Sequence, residues 1–420
     1  MRIVPALKVG FRTAALLRSQ WWPDERIRGY VDGRLREMLD YATRHVPHYR
    51  SLGIAPDHED PRNWLRRFPV LAREQVQDAG ERLYGAGLDE SAVCSSRTSG
   101  GASGEPVTTR FDERTWLTCK YALKARRVLS AVRSPWQRIL IVAERPDEGA
   151  LTRLFSDRIF SVRYLGIETP IAKNLQLFVD FRPTLVYGYP SYLQYFADAA
   201  EQAGYPLPPV PTIFTSSELL TPPAREKLER AYGGRLIDVY GSTEFKEIAV
   251  ECPAGRYHVN FESVFVEALP DEYHGKPRLV VTSLMNRAMP LIRYDIGDHG
   301  QVAVGRCACG RQGPYIVQPQ GRKSELIVFP GGRVVTSFEL TTAIDDFDEV
   351  RNYSIVHRQP DELLLRIHAR PALTDERRAQ LVAAVSALVS PAVRVSVERL
   401  EKRLPAGKRI AVSQGEGTQP

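Results

Sequence analysis

Apolar residues along this chain fall into two textures, one of helical spacing and one of short strand-like runs. Helical patterning dominates the first hundred residues, where Trp21, Trp22 and Tyr30 are expected to pack an N-terminal layer. A helix running through Tyr41 to Val46 is expected to stop at Pro47, and Ala72-Arg73-Glu74 opens a further short one. Asp112 suits an N-cap, and behind it Trp116, Leu117, Tyr121 and Val128 recur at near-helical spacing. Between residues 137 and 320 apolar runs alternate with helical stretches, the arrangement of an α/β sheet. Strands are predicted at Ile139–Val142, Thr184–Tyr187, Thr212–Thr215 and Leu236–Tyr240. Ligands in open α/β sheets bind beyond the carboxyl ends of strands, and three of these ends carry polar or aromatic turns: Tyr187-Gly188-Tyr189-Pro190, Ser216-Ser217-Glu218 and Gly241-Ser242-Thr243-Glu244.

After Gly321 the texture changes. Leu326–Phe329, a Gly331-Gly332 turn and Val334-Val335 read as a hairpin, followed by strands at Tyr353–His357 and Leu363–His368. A helix capped by Thr374 and a last strand at Val393–Val397 complete a small α+β domain. The end of the chain, 413–420, is polar and expected to be a disordered tail.

Composition narrows the class. With 420 residues, 43% of them hydrophobic and 25% charged, the chain can build a large core spread over two or three domains. A net charge of +7, spread rather than clustered, favours anionic small molecules over a nucleic-acid face; a slightly basic surface without meaning fits equally. No apolar run approaches the roughly 18–20 residues of a membrane span, so none is expected. Five cysteines, an odd number in a long chain, argue against a disulfide framework and for a reducing compartment, so the cytoplasm is expected.

One stretch stands out chemically. From Ser95 to Pro106 the chain offers Ser96, Thr98, Ser99 and Ser103 with Gly100, Gly101 and Gly104, and no large apolar side chain. Such a loop can turn backbone N–H groups and hydroxyls toward one anion, which makes it a phosphate-cradling candidate; a solvated flexible linker is the alternative. It lacks the Gly-Lys-Ser/Thr ending of a P-loop.

Five stretches, in order, resemble the adenylate-forming acyl-CoA synthetase superfamily. They are the loop at 96–106, Tyr240-Gly241-Ser242-Thr243-Glu244, Arg293-Tyr294-Asp295-Ile296-Gly297-Asp298, Gly321-Arg322-Lys323-Ser324-Glu325 and Leu404-Pro405-Ala406-Gly407-Lys408. Tyr187–Tyr192 and Glu251-Cys252 are similar to the phenylacetate–CoA ligase branch, and the resemblance runs from about residue 41 to 410. It implies an α/β fold: a large N-terminal adenylating domain of mixed sheets and flanking helices, 1–322, and a small mobile C-terminal lid, 325–412.

The implied activity is ATP-dependent conversion of a carboxylic acid, an aromatic one by the character of the pocket, to acyl-AMP and pyrophosphate, then transfer to a thiol such as coenzyme A. Amide or ester formation with a biosynthetic amine or alcohol is one alternative, and a catalytically silent nucleotide- or acyl-binding relative another. A homodimer is compatible with the sequence. The implied nucleotide site comprises Ser96, Thr98, Ser99, Gly100, Gly101, Ser103, Gly104, Ser217, Glu218, Tyr240, Gly241, Ser242, Asp298 and Arg322. Catalysis falls to Lys408, Thr243 and Glu244, with Glu244 offering Mg²⁺ a hard oxygen ligand. Lys408 would bridge the attacking carboxylate and the α-phosphate, Ser324 would be the hinge, and Tyr187, Gly188, Tyr189, Pro190 and Phe245 would line the acyl pocket.

Cys252, His258, Cys307 and Cys309 together make a tetrahedral zinc set at positions resembling those of a metal-bearing subset of the branch. With four protein ligands the zinc would be structural; two unrelated halves is the alternative. Cys94 and Cys119 are expected to be buried thiols. The sequence departs from the family pattern at Glu105, where the phosphate loop usually carries lysine, and at Ser324, commonly Asp or Lys.

Overall fold

The computed structural model describes residues 3–97, 107–134, 136–143, 160–270, 277–317, 319, 326–329, 333–359, 361–401 and 412–414. The chain divides into two units, Met1–Ser134 with Val239–Pro319, and Pro135–Asp238 with Gln320–Pro420.

In the first unit, the helices Ile3–Ser19 and Asp24–His45 precede a two-stranded ribbon of Cys94–Arg97 and Thr108–Phe111. Pro47 sits at the first position of the next helix, so the long helix ends where the proline forbids the preceding residue an α conformation. Asp112 accepts a hydrogen bond from the Thr115 amide, 2.8 Å, and starts Glu113–Trp116; the chain then passes through a π-helical stretch, Leu117–Ala122, into Leu123–Ala131. One antiparallel sheet follows the order Val239–Ser242, Lys246–Glu251, Tyr257–Val259, Pro314–Val317, Gln301–Val304. A second contains Val264–Leu269, Arg278–Ser283 and Tyr294–His299. Leu35, Leu39, Trp64, Ile248, Leu279 and Val281 lie in the apolar core. Trp22 and Tyr30 pack on Phe261, at 6.2 and 6.1 Å between ring centroids, but Trp21 is 56% exposed and takes no part in the expected layer.

Buried charge also ties this unit together. Arg127, in the helix Leu123–Ala131, pairs with Glu247 of the strand Lys246–Glu251 at 2.9 Å, and Arg126 pairs with Glu262 at 3.1 Å. All four side chains are buried. Such pairs persist because each charge would be far costlier alone than together.

In the second unit a parallel sheet runs Phe160–Gly166, Gln137–Ala143, Leu185–Gly188, Thr212–Ser216. Every strand predicted in this region is present; Phe160–Gly166 was not predicted. The helices Ile171–Phe181, Pro190–Gln202 and Pro222–Tyr232 bury Phe178, Phe196 and Leu228 against the sheet. The unit also holds the predicted hairpin, Leu326–Val328 with Val334–Thr336, and a four-stranded sheet ordered Arg394–Arg399, Glu362–Ala369, Val350–Gln359, Val412–Gln414. Thr374 caps Asp375–Leu388 as expected, accepting from the Arg377 amide at 3.2 Å. This C-terminal part has its own core around Leu340, Ile355, Leu363, Leu365 and Leu381. It is joined to Pro222–Tyr232 by the buried Asp345, which accepts from Thr221 and Tyr353 hydroxyls at 2.5 and 3.0 Å.

Breaking the Arg127–Glu247 pair by Arg127→Met should lower stability by about 3–5 kcal/mol in denaturant unfolding, since Glu247 is left buried without its partner. Adding Glu247→Leu should restore most of that loss.

Candidate active site

The stretch Gly241–Lys246 is a hairpin connection with a register shift between Tyr240 and Gly241. The irregularity brings the two strands so close that a Cβ on Gly241 would lie 2.2 Å from the Lys246 carbonyl oxygen, so only glycine fits. At the tip, the Ser242 hydroxyl accepts from the Phe245 amide at 3.3 Å. Thr243 is half-buried and Glu244 buried. Oε1 of Glu244 accepts from the Tyr294 hydroxyl at 3.2 Å and lies 3.8 Å from an Arg73 guanidinium nitrogen. Burial and the Glu244 carboxylate push the Tyr294 phenol far above its ordinary range, so it remains a donor.

A second carboxylate is held in the same unit. Asp298 Oδ2 accepts from the Tyr240 hydroxyl at 2.7 Å. The other charged groups of that turn are committed elsewhere: Arg293 pairs with Glu267 at 3.2 Å and Asp295 with Arg278 at 3.2 Å. Gly297 has φ +81, which lets its amide reach Asp295 Oδ1 at 3.0 Å. Phe245, read from the sequence as pocket-lining, is 4% exposed and packs on Tyr294 with ring centroids 6.0 Å apart.

In the second unit, Tyr187 and Ser216 hydroxyls form a short hydrogen bond, and Ser216 also meets Ser217 at 3.3 Å. Ser217 has φ +70, unusual outside glycine. Glu218 accepts from both the amide and hydroxyl of Ser191, at 2.9 and 2.8 Å. Its carboxylate therefore sits at the N-terminus of Pro190–Gln202, where orphan amides and the helix dipole favour negative charge. Pro190 takes the first helical turn and Tyr189 the cap position, while a Cβ on Gly188 would meet Val142 Cγ2 at 2.9 Å. Ser96 is half-buried in the strand Cys94–Arg97; Thr98, Ser99, Gly100, Gly101, Ser103, Gly104, Arg322, Ser324 and Lys408 lie outside the described residues.

Cys252, His258, Cys307 and Cys309 come together, with ligand atoms all within 4.8 Å of one another. Two tight turns present the thiols. The Gly255 amide donates to the Cys252 carbonyl at 2.9 Å and the Gly310 amide to the Cys307 carbonyl at 3.0 Å, both glycines having positive φ. Sγ of Cys252 and Cys307 are 3.7 Å apart, and Cys309 Sγ is 3.3 Å from His258 Nε2. Tetrahedral zinc with bonds of about 2.3 Å to sulfur and about 2.0–2.1 Å to nitrogen separates its ligands by about 3.8 and 3.6 Å, so the donor set fits the ion. Burial and Arg311 hold the His258 imidazole down at about 4, in the neutral form a ligand needs. Of the remaining thiols, Cys119 is buried, which pushes it up to about 12, whereas Cys94 is only half-buried, unlike the sequence expectation.

The fold is that of the adenylate-forming CoA ligases. 2-Hydroxyisobutyryl-CoA ligase, solved in the postadenylation state with 2-HIB-AMP, matches 95% of this chain and 92% of its own at TM-score 0.79 and 19% identity. An anthranilate CoA ligase in complex with anthranoyl-AMP matches 83% of this chain and 69% of its own at TM-score 0.54 and 16% identity. In sequence the chain is similar to the phenylacetate-coenzyme A ligase of Thermus thermophilus, 24% identical over 367 residues covering 81% of this chain and 80% of the relative. The phenylacetate-coenzyme A ligase of Pseudomonas putida is 26% identical over 338 residues, 74% of each chain. No family model matches the chain. The resemblance read from the motifs is borne out by these relatives.

Lys246, Arg73, Tyr294 and Ser191 touch the site residues and are not among the candidate site residues read from sequence, although Tyr294 and Ser191 stand within two of the quoted stretches. Lys246 immediately follows Phe245 and its ammonium donates to Ser96 Oγ at 2.7 Å. Burial, then Lys120 and Lys124, bring it down from 10.5 to about 8. Between those values the unfolded chain binds more protons than the folded one, so this group makes stability rise with pH from about 8 to 10.5. Lys246→Met should remove that rise, measured as the difference between wild-type and variant denaturation midpoints at pH 7.5 and 10; equal pH slopes would contradict it.

Proposed function

We propose that the chain activates a carboxylic acid with ATP, forming acyl-AMP and pyrophosphate, and then transfers the acyl group to the thiol of coenzyme A. The observation that carries this reading is the Gly241–Glu244 turn, which holds a buried carboxylate on Tyr294 in the same unit as the Tyr240–Asp298 pair. Both lie in a fold whose solved examples hold acyl-adenylates. Phosphoryl and nucleotidyl chemistry of this type needs charge neutralisation and positioning more than covalent help.

The proposed roles follow from the residue chemistry. Asp298 accepts the ribose hydroxyls, Tyr240 offers an aromatic face to adenine, and Thr243 donates to a phosphate oxygen. The stretch from Ser96 to Gly104 cradles phosphates, and Arg322 binds ribose or phosphate. Gly241, Ser242, Ser217 and Glu218 complete the nucleotide set, Glu218 from a carboxylate already committed to Ser191. Glu244 is the proposed oxygen ligand of Mg²⁺, which would neutralise phosphate charge. Tyr187, Gly188, Tyr189, Pro190 and Phe245 are the proposed acyl-pocket residues, favouring an aromatic or similarly flat acid, Phe245 being itself buried. In this reading residues 1–322 bind ATP and acid, and 325–412 form a lid that turns about Ser324 and carries Lys408. Zinc at Cys252, His258, Cys307 and Cys309 is proposed as structural, four protein ligands leaving no open position.

A panel of carboxylic acids assayed for pyrophosphate release, with coenzyme A and separately with hydroxylamine, tests the function. Acid-dependent release with thioester formation is expected. Release with only hydroxylamine trapping would favour an amine acceptor, and ATP binding without turnover on any acid a silent relative.

Lys408→Ala should lower acid-dependent pyrophosphate release by about 100-fold or more, the size of losing a preorganised charge at a developing anion. Transfer from preformed acyl-AMP to coenzyme A should persist; equal loss of both steps would contradict the role of Lys408.

Metal analysis of freshly purified protein should find one zinc per chain, and Cys307→Ala should abolish it with a lowered melting temperature. Protein without stoichiometric zinc would contradict the structural site.

A further inference from the structure

Lys246 opens the strand Lys246–Glu251, two residues after Glu244, and holds φ +65, a costly conformation for a long side chain. Its ammonium is 4.8 Å from the Phe111 ring centroid and 5.5 Å from that of Trp116, besides its bond to Ser96. Lys120 lies over the same Trp116 ring at 4.5 Å. Lys120 belongs to the π-helical stretch Leu117–Ala122, a distortion frequent at functional sites, and Lys124 follows one turn later. Three like charges thus converge, with Lys120 and Lys124 both acting on Lys246 and Glu244 opposing them. Convergence of cations in a partly desolvated place costs folding energy, and a multivalent anion entering it relieves that cost. The anchor atom is also informative: Ser96 lies in the strand that leads straight into the hydroxyl-rich stretch.

We infer that Lys246, supported by Lys120 and Lys124, is a phosphate-contacting subsite that takes the terminal phosphates of a nucleoside triphosphate. The inference rests on the nucleotide reading above and adds to it a cation that no motif supplied. The ammonium already donates to Ser96, so it is held beside the strand end without needing to be reorganised when the phosphates arrive. Aromatic rings under two of the lysines position the cations without neutralising them.

The test is titration calorimetry of the full chain with ATP, AMP and inorganic tripolyphosphate, for wild type, Lys246→Met and Lys120→Gln. Lys246→Met should weaken ATP and tripolyphosphate at least tenfold while AMP stays within twofold, and Lys120→Gln should weaken the same two ligands by a smaller factor. Without ligand, Lys246→Met should melt at or above the wild-type temperature, because a desolvated ammonium has been removed. ATP affinity within twofold of wild type in both variants overturns the subsite, as does a lowered melting temperature with unchanged affinities, the mark of a merely structural lysine. Should Lys246→Met fail to fold, Lys120→Gln carries the same test. The two readings separate cleanly. Wild-type protein that binds tripolyphosphate but not AMP keeps the subsite and overturns the nucleotide reading; unchanged variants overturn the subsite alone.

Discussion

Buried carboxylates held by arginine and tyrosine are the constraint on which the candidate site depends. Glu244, Glu247 and Glu262 are all under 9% exposed, and each faces an arginine: Arg73, Arg127 and Arg126 respectively. An isolated buried carboxylate is costly enough to take up a proton or unfold its surroundings. Pairing therefore selects one arrangement of the strand, turn and connection that carry these residues. Glu247 fixes the strand Lys246–Glu251 to the helix behind it, and the turn at Ser242–Phe245 inherits that fixed frame. A site that must meet developing charge at phosphorus benefits from donors and carboxylates that do not reorganise.

The metal-ligating cluster belongs to the same sheet. His258 stands opposite Val250 of the strand Lys246–Glu251 and opposite Tyr315 of the strand Pro314–Val317. Cys252 directly follows the first of these strands, and Cys307 and Cys309 lie in the connection before the second. An ion held by all four would clamp the two turns to each other at the Glu251 end of the strand Lys246–Glu251. The buried Asp345 does the corresponding work in the second unit, joining the C-terminal helix Ser337–Asp345 to Thr221 through hydrogen bonds that need no metal.

Strands of the parallel sheet were legible because each is a short apolar run closed by a turn residue, as with Leu185–Gly188 and Thr212–Ser216. The strand Phe160–Gly166 was not, since Arg163 and Tyr164 interrupt its apolar pattern. Within the site, Tyr240, Glu244 and Asp298 could be named because the stretches that carry them resemble the adenylate-forming family, and the four residues of the Cys/His cluster because their donor types and positions resemble its metal-bearing subset. Their partners could not: Arg73 and Tyr294 reach Glu244 from 171 and 50 residues away, a proximity that no local pattern encodes. Glu218 is the converse case: the sequence marks it as a strand-end carboxylate, but only the fold shows that it accepts from the amide and hydroxyl of Ser191. Lys246 lies outside every motif, and the two lysines that act on it, Lys120 and Lys124, are more than a hundred residues earlier.

Activation of the acid by ATP requires a carboxylate oxygen to attack the α-phosphorus. Turnover with an acid labelled with ¹⁸O in both carboxylate oxygens, followed by mass spectrometry of the nucleotide product, tests it most directly. AMP carrying one ¹⁸O is expected, left behind when the thiol or amine displaces the adenylate. ADP with the label in inorganic phosphate, or AMP without label, would contradict it.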